Sequence, residues 1–499
     1  MAYHYIGGAR DQQFLLPVSM RDWLDEGHLA WFVIEVIERI DTAGLHLRHP
    51  NDGPGRPAYD PDMMLTMLLY AYMTGQRSSR RIEAACRTDA AYRVICGDVV
   101  PDHATIARFL IDHEQAIKGV FVDVLRLCAA AGLVTVGTVA IDGTKIGSDA
   151  ALDRNRSAEW IRREVEQILS EARQTDQDED GQPGLYAADQ LPGELSSATS
   201  RIARLEQAAA LIEAQDAAAA AEAQARAAKA REEAAKGRKL RGRKPKDPHA
   251  ALARAEADET ATRVQAQAKA SAAHTSEADV AAAVETDPDV KAAAAATVTA
   301  RVAAQADTPA RKANITDPQS RIMKTATGWV QGYNAQAAVN DQQIIVACHV
   351  SQDGNDLGLY QPMVDAVNDT LSAAGITEPI GLVVADAGYW SQDNATCDGP
   401  DRLIATTKDW KQRAAARELG TTQGEPPEDA TAAEAMEHRL RTDEGAAAYA
   451  KRSHTVEPVF ASKANHNYRR FRRRGLEAAR SEWALMATAH NLGKLHRAS

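Results

Sequence analysis

Nowhere does the sequence hold an apolar run approaching the roughly 20 residues that cross a bilayer. Its opening, Met1-Ala-Tyr-His-Tyr-Ile-Gly-Gly-Ala-Arg10, has no hydrophobic signal core either, so a cytoplasmic protein without a membrane partner is expected. Cysteine is scarce: Cys86, Cys96, Cys128, Cys348 and Cys397 are far apart and never paired as Cys-x-x-Cys. That spacing excludes a zinc ribbon and a disulfide framework, and leaves buried free thiols as the expectation. No His-x-x-x-His pair and no Gly-x-x-x-x-Gly-Lys-Ser/Thr loop occurs, so neither zinc nor ATP chemistry is indicated. Aromatic residues make up only 5%, and none lies between Tyr186 and Trp329.

What is present divides the chain. Its 499 residues exceed one small core, and two or three domains are expected. Residues 201–310 hold 42 alanines, which favour helix but bury little surface. The anchors Ile202, Leu205 and Ile212 in Ala/Glu/Gln/Lys/Arg filling predict a long helix from about Ser197 to Ala235. Gly237 and the basic run Arg238–Lys246 break it, and further helix follows from about His249. A helical hairpin or arm is expected; the competing reading of this composition is disorder.

Residues 11–130 read as all-helical. Leu29, Trp31, Phe32, Ile34, Val36, Ile37 and Ile40 recur at helical spacing. Pro61-Asp62 opens an apolar helix stopped near Gly75, Ser78-Ser79 suits the start of another, and Pro101-Asp102 a third. Such short helices fit a helix-turn-helix-like module or a plain bundle. Beyond Gly132 the pattern turns to strand: Leu133–Ile141, a hairpin of Gly328–Val339 and Gln343–Val350, Ile380–Ala385, and Leu403–Thr407. Asp356 suits the cap of a helix over Leu357–Leu371, and Gly475–Leu495 is helical again.

Net charge is −11, from 58 basic and 69 acidic residues, which by itself argues against nucleic acid. Residues 451–499, however, carry eleven Lys/Arg against three acids, a local +8. The global sign therefore excludes nothing.

Two acids stand at matching places. Asp142 follows Thr138-Val-Ala-Ile141 and Asp386 follows Leu382-Val-Val-Ala385, each with glycine close behind. A turn aspartate explains either alone. Adjacent strands would bring both to the region where α/β sheets bind ligands. Convergent carboxylates repel, and a hard cation such as Mg²⁺ resolves this through oxygen ligands. A third acid would complete a two-metal site for phosphodiester chemistry. Composition does not choose it.

Asp142-Gly-Thr-Lys145, Asp386-Ala-Gly-Tyr-Trp390 and Tyr449–Phe460 together resemble the DDE transposases of bacterial insertion sequences. Asp62–Ala85, Pro101–Phe109, Asn314–Lys324 and Gly328–Gln336 are similar to further segments of that family, in the same order. The resemblance covers nearly the whole chain except the Ala-rich stretch. It implies an α/β ribonuclease H-like core with an all-helical N-terminal domain and an Ala-rich helical insertion. The expected divisions are residues 1–130 for a helical DNA-binding domain, 131–150 with 312–499 for the split catalytic domain, and 151–311 for the insertion.

The family pattern places the third acid at Glu457, with Glu477 and Glu482 as competitors. Its Tyr-Arg-Glu-Lys signature reads Tyr449, Arg452, Glu457, Lys463, the Arg–Glu gap one residue longer than the commonest spacing and the Glu–Lys gap one shorter. Asp142, Asp386 and Glu457 are then the catalytic and metal ligands, with Mg²⁺ expected and Mn²⁺ as the alternative ion. Tyr449, Arg452, Lys463 and Lys145 are DNA contacts, joined by the cluster Arg469, Arg470, Arg472, Arg473 and Arg474. Tyr389 and Trp390 are candidates for base stacking or core packing, and His454 for the metal's surroundings or the surface. Arg241-Gly-Arg-Lys-Pro245 suits a minor-groove hook or a solvated turn. The expected activity is Mg²⁺-dependent cleavage and strand transfer at terminal inverted repeats, the partners being double-stranded DNA of transposon ends and target, and a second copy in a homodimer. Nucleoid association follows when DNA is bound. A nuclease without strand transfer and a non-enzymatic DNA-binding protein are the alternatives.

Overall fold

In the computed structural model, residues 19–47, 58–179, 198–239, 242, 245, 247–273, 276–305, 310–407, 420–465 and 468–499 are described. Arg241, Arg243 and Lys244 of the basic turn lie outside them. The chain is mixed α/β and mostly helical. Its strands are β1 (Thr138–Gly147), β2 (Asn155–Ser157), β3 (Lys312–Asn314), β4 (Arg321–Thr325), β5 (Gly328–Asn340), β6 (Ile345–Ser351), β7 (Leu382–Ala385) and β8 (Asp401–Ile404).

Two units form: Met1–Leu152 with Gln319–Ser499, and Asp153–Pro318. The first is built on a six-stranded sheet in the order β4-β5-β1-β7-β8, with β6 following β4 along the free edge of β5. β5 is antiparallel to both β1 and β6, whereas β7 and β8 run parallel to β1. Short apolar runs make the parallel strands, as burial on both faces requires. Asn340 turns the β5–β6 hairpin by accepting from the N–H groups of Gln342 and Ile344.

One expectation shifts. The strand read as Leu133–Ile141 begins at Thr138 and runs on to Gly147. The reason lies in its partner: β5 is long enough to pair with β1 as far as Gly147, although β7 leaves at Ala385. Asp142 is therefore inside a strand, one residue beyond the point where its parallel neighbour ends.

Helices α1 (Leu29–Arg39), α2 (Ala43–His46), α3 (Pro61–Met73), α4 (Ser79–Thr88), α5 (Ala90–Ile95), α6 (His103–Asp112) and α7 (Glu114–Ala130) precede the sheet. Asp60 caps α3 and Asp102 caps α6, each accepting two backbone N–H groups; Ser78 before α4 makes no such side-chain bond. The second unit holds α8 (Ala158–Glu179), α9 (Ala198–Ala235), α10 (Pro248–Ala273), α11 (Glu277–Thr286) and α12 (Pro288–Gln305). These are more than one hairpin: α8 packs on α9, α9 on α10 and α10 on α12. Ile161, Ile168, Leu205, Ala208 and Ile212 form one small core, and Ala230, Ala234, Ala257 and Ala261 an alanine seam. The β2–β3 ladder joins the two ends of this unit.

Later helices of the first unit are α13 (Tyr360–Ala373), α14 (Gln392–Thr396), α15 (Ala432–Leu440), α16 (Asp443–Ala450), α17 (Arg452–Asn465) and α18 (Leu476–Ala498). α18 is buried on every side through residues 481–489, with the polar Ser481, Glu482 and Thr488 enclosed among its apolar residues. It packs on β6 and β5 and also on α7 and α3, so the N-terminal helices and the sheet share one core. Asn491 on α18 both accepts from Ile345 N and donates to Ile345 O, each at 2.9 Å, which satisfies the start of edge strand β6.

Candidate active site

β1 and β7 are in register up to Ile141 opposite Ala385, so the next residues, Asp142 and Asp386, leave neighbouring strands side by side. The Asp142 carboxyl is pushed up to about 6: burial is the largest cause, the charges of Asp386 and Asp356 add to it, and Arg452 and the Gly143 N–H act in the opposite direction. The Asp386 carboxylate accepts from Gly388 N at 2.7 Å, which closes a tight turn beyond β7.

α17 lies across β1 and β5. Its buried Val456 and Val459 face the core while Glu457 stays 58% exposed. Two contacts hold its first turn against the β5–β6 turn: Gln343 Nε2 donates to His454 O at 2.7 Å, and Lys451 pairs with Asp341 at 3.3 Å. Arg452 then reaches into the site, contacting Asp142 at 2.5 Å and Glu457 at 3.6 Å. One guanidinium thus spans the first and third acids. Burial alone would lower the Arg452 pKa, but the charges of Asp142, Tyr449, Asp386 and Glu457 outweigh it and the value rises. Its Nε is buried with no hydrogen-bond partner among the described residues, so the group is held by its outer nitrogens.

The structure therefore brings Asp142, Asp386, Glu457 and Arg452 together, with Tyr449 close enough to act on Arg452. The two competing acids are elsewhere. Glu477 pairs with Lys118 and Arg480. Glu482 is buried against Arg77 at 3.0 Å and accepts from Arg472 N and Arg473 N. Lys145 is mostly buried and contacts Asp356 at 3.1 Å rather than projecting toward solvent. Lys463 is on α17, but its side chain lies outside the described ones. In the arginine cluster, Arg469, Arg470 and Arg472 are exposed, Arg473 pairs with Glu114, and Arg474 with Asp149. This cluster is tied to the site strand: Gly147 N donates to Arg469 O and Phe471 N to Gly147 O. Tyr389 is fully buried with its hydroxyl on Gln336, which removes it as a base-stacking residue. Trp390 packs partly buried against the core.

One acid escaped the sequence reading. Asp356 makes no side-chain cap bond to the helix that follows. Its Oδ1 instead accepts from Lys145, Asn334 and Gln336. The available signal was polar residues at alternate positions, Asn334 and Gln336, inside an otherwise apolar strand.

A pair of carboxylates leaves adjacent parallel strands, and a helix brings a third carboxylate and an arginine beside them. Residues 18–111 match a family model described as a transposase domain, and residues 410–496 match one described as a transposase DDE domain. Both matches support a DDE transposase of an insertion sequence, and the DDE domain indicates an enzyme that cleaves DNA and transesterifies it. The second match takes in Glu457 and the arginine cluster; Asp142 and Asp386 fall between the two. No curated protein and no solved structure matches the chain. Among the described residues no helix is long and apolar enough to cross a membrane.

Proposed function

We propose that this transposase binds the terminal inverted repeats of its element, cuts there with Asp142, Asp386 and Glu457 as metal ligands, and transfers the cut strand to target DNA. The observation that carries this reading is the convergence of Asp142 and Asp386 at the end of the β1–β7 ladder, with Arg452 linking Asp142 to Glu457. The strand order, with three antiparallel strands followed by two parallel ones, supports a ribonuclease H-like core.

The donor set fits a hard divalent cation: three carboxylates, one of them with its pKa raised by burial and like charge. Mg²⁺, or Mn²⁺ in its place, would supply charge stabilisation at the phosphate and a lowered pKa for the attacking water. Arg452 is the counter-charge that lets Asp142 and Glu457 sit together, and its fork suits a phosphate oxygen. Tyr449 and Lys463 flank it along the chain. The exposed Arg469, Arg470 and Arg472 extend a cationic path for the duplex. Arg473 and Arg474 border that path from their ion pairs, and Lys145 serves from behind the site rather than on the DNA. The N-terminal helices read the repeats: α6 exposes Arg108, and α4 exposes Arg80 and Arg81. α4 and α6 are fastened together by Glu83, which accepts from the His103 N–H at 3.0 Å. A homodimer brings the two ends together.

The test is cleavage of DNA carrying the element's own ends, followed by joining of a pre-cut 3′-hydroxyl end to target. Asp142→Asn, Asp386→Asn and Glu457→Gln should each lower Mg²⁺-dependent cleavage by about 10²-fold or more. Cleavage that survives all three substitutions places the site elsewhere. Failure to join a pre-cut end, with cleavage intact, removes the transfer step.

A further inference from the structure

Pairing between β1 and β7 stops at Ile141 and Ala385, one residue short of both acids. The backbone ladder therefore does not fix the separation of Asp142 and Asp386. A side-chain network begins where the ladder ends. Tyr389, three residues beyond Asp386, donates its buried hydroxyl to Gln336 Oε1. Gln336 Nε2 donates to Asp356 Oδ1 at 3.0 Å. The same oxygen accepts from Asn334 Nδ2 at 2.8 Å and from Lys145 Nζ at 3.1 Å. Lys145 belongs to β1, the strand that carries Asp142.

Side chains alternate along a strand, so Gly143 and Lys145 face away from Asp142 and the network underlies the acids from the opposite face. It packs directly against the backbone there. A Cβ at Gly143 would lie 2.0 Å from Gln336 Nε2 and 2.9 Å from Asp356 Oδ1. Both amides are fully buried, and a buried amide has one productive orientation when its partners are fixed.

We propose that Asp356 is a positioning residue for this active site: through Gln336 and Tyr389 it fastens the Asp386 loop to the segment of β1 bearing Asp142, and so sets the spacing of the two carboxylates. The inference rests on the reading of those acids as metal ligands. Asp356 does not act among the ligands, because the oxygen it presents to the network is engaged by three donors. One of these is an ammonium, and a charge-assisted bond is roughly twice as strong as a neutral one. Groups that orient ligands from behind in this way typically change metal affinity by about 10–100-fold when removed.

The experiment measures Mn²⁺ binding to the full chain, by electron paramagnetic resonance of the free ion, without DNA or turnover. Asp356→Ala should weaken binding about tenfold or more. Tyr389→Phe removes a single hydroxyl from the path and should weaken it about threefold or more, so the path is tested even where Asp356→Ala fails to fold. Asp356→Asn keeps an acceptor oxygen and should bind more like the unaltered protein than like Asp356→Ala. Binding that is lost in Asp142→Asn but kept in both Asp356→Ala and Tyr389→Phe overturns the positioning role alone. Equal loss in Asp356→Asn and Asp356→Ala also overturns it, since the charge and not the bonding would then be what matters. Binding that Asp142→Asn leaves unchanged overturns the ligand assignment, and this proposal with it.

Discussion

Burial pushes the Asp142 carboxyl up to about 6, against 3.8 for the same group in an unfolded chain. Between these values the folded protein holds a proton that the unfolded chain has released. The stability this group contributes is full below 3.8, falls as pH rises, and is gone above 6. Raising the metal-free protein from about pH 5 to about pH 7 should lower its unfolding free energy by about 1 kcal/mol through Asp142. Urea denaturation at both pH values checks this, with Asp142→Asn losing that increment. Equal pH dependence in the two proteins would contradict the assignment. Gly143 offers a second test at the same scale. Its substitution by alanine drives a methyl group into the Gln336 amide, and a loss of about 1–3 kcal/mol in thermal unfolding is expected.

Elements show which parts of the molecule local pattern reveals. Runs of β-branched residues ending in an acid marked β7 and its neighbour, and Asp142 and Asp386 were legible for that reason. β1 was placed five residues early, because its length is dictated by β5, a partner distant in sequence. Glu457 is proposed as the third ligand through family resemblance alone; nothing in its local pattern separates an exposed helical glutamate from a ligand. Glu482, a competing third acid, carries no local signal of its burial. Its partner, Arg77, comes from the far end of the chain, and no periodicity reports such a pairing. Both side chains are almost fully buried, so Glu482→Gln should cost about 3–5 kcal/mol. The double change Arg77→Met with Glu482→Leu should recover much of that loss. Denaturant midpoints of the single and double variants decide it; a double variant no better than the single one would show that the pair does more than balance charge. Asp356 was missed for the same reason as Arg77, since its three donors come from β1 and β5.

At the scale of the whole molecule, net acidity coexists with a cationic surface. Replacing Arg469, Arg470 and Arg472 by alanine should make the dependence of DNA affinity on salt shallower, by about 3 in the log–log slope if all three contact phosphate. Fluorescence anisotropy with a labelled duplex at several salt concentrations measures it, and an unchanged slope would remove these residues from the interface. The ladder between β2 and β3 bears on something else, the order in which the chain acquires its shape. β1 must find β5 across everything from Gly147 to Gly332. Once the second unit has folded, Asn155 and Asn314 are already neighbours, and only the short stretches outside them remain to be closed. Shrinking the loop in this way removes about 2 kcal/mol of closure entropy from the central pairing of the sheet. Pairings close in sequence form faster than distant ones, so the alanine-rich helices are expected to pack before the sheet closes. In that order of events they would act as a clasp that brings the two halves of the sheet to each other. Destabilising that clasp, for example by Leu205→Ala, should slow refolding of the sheet more than it lowers its final stability.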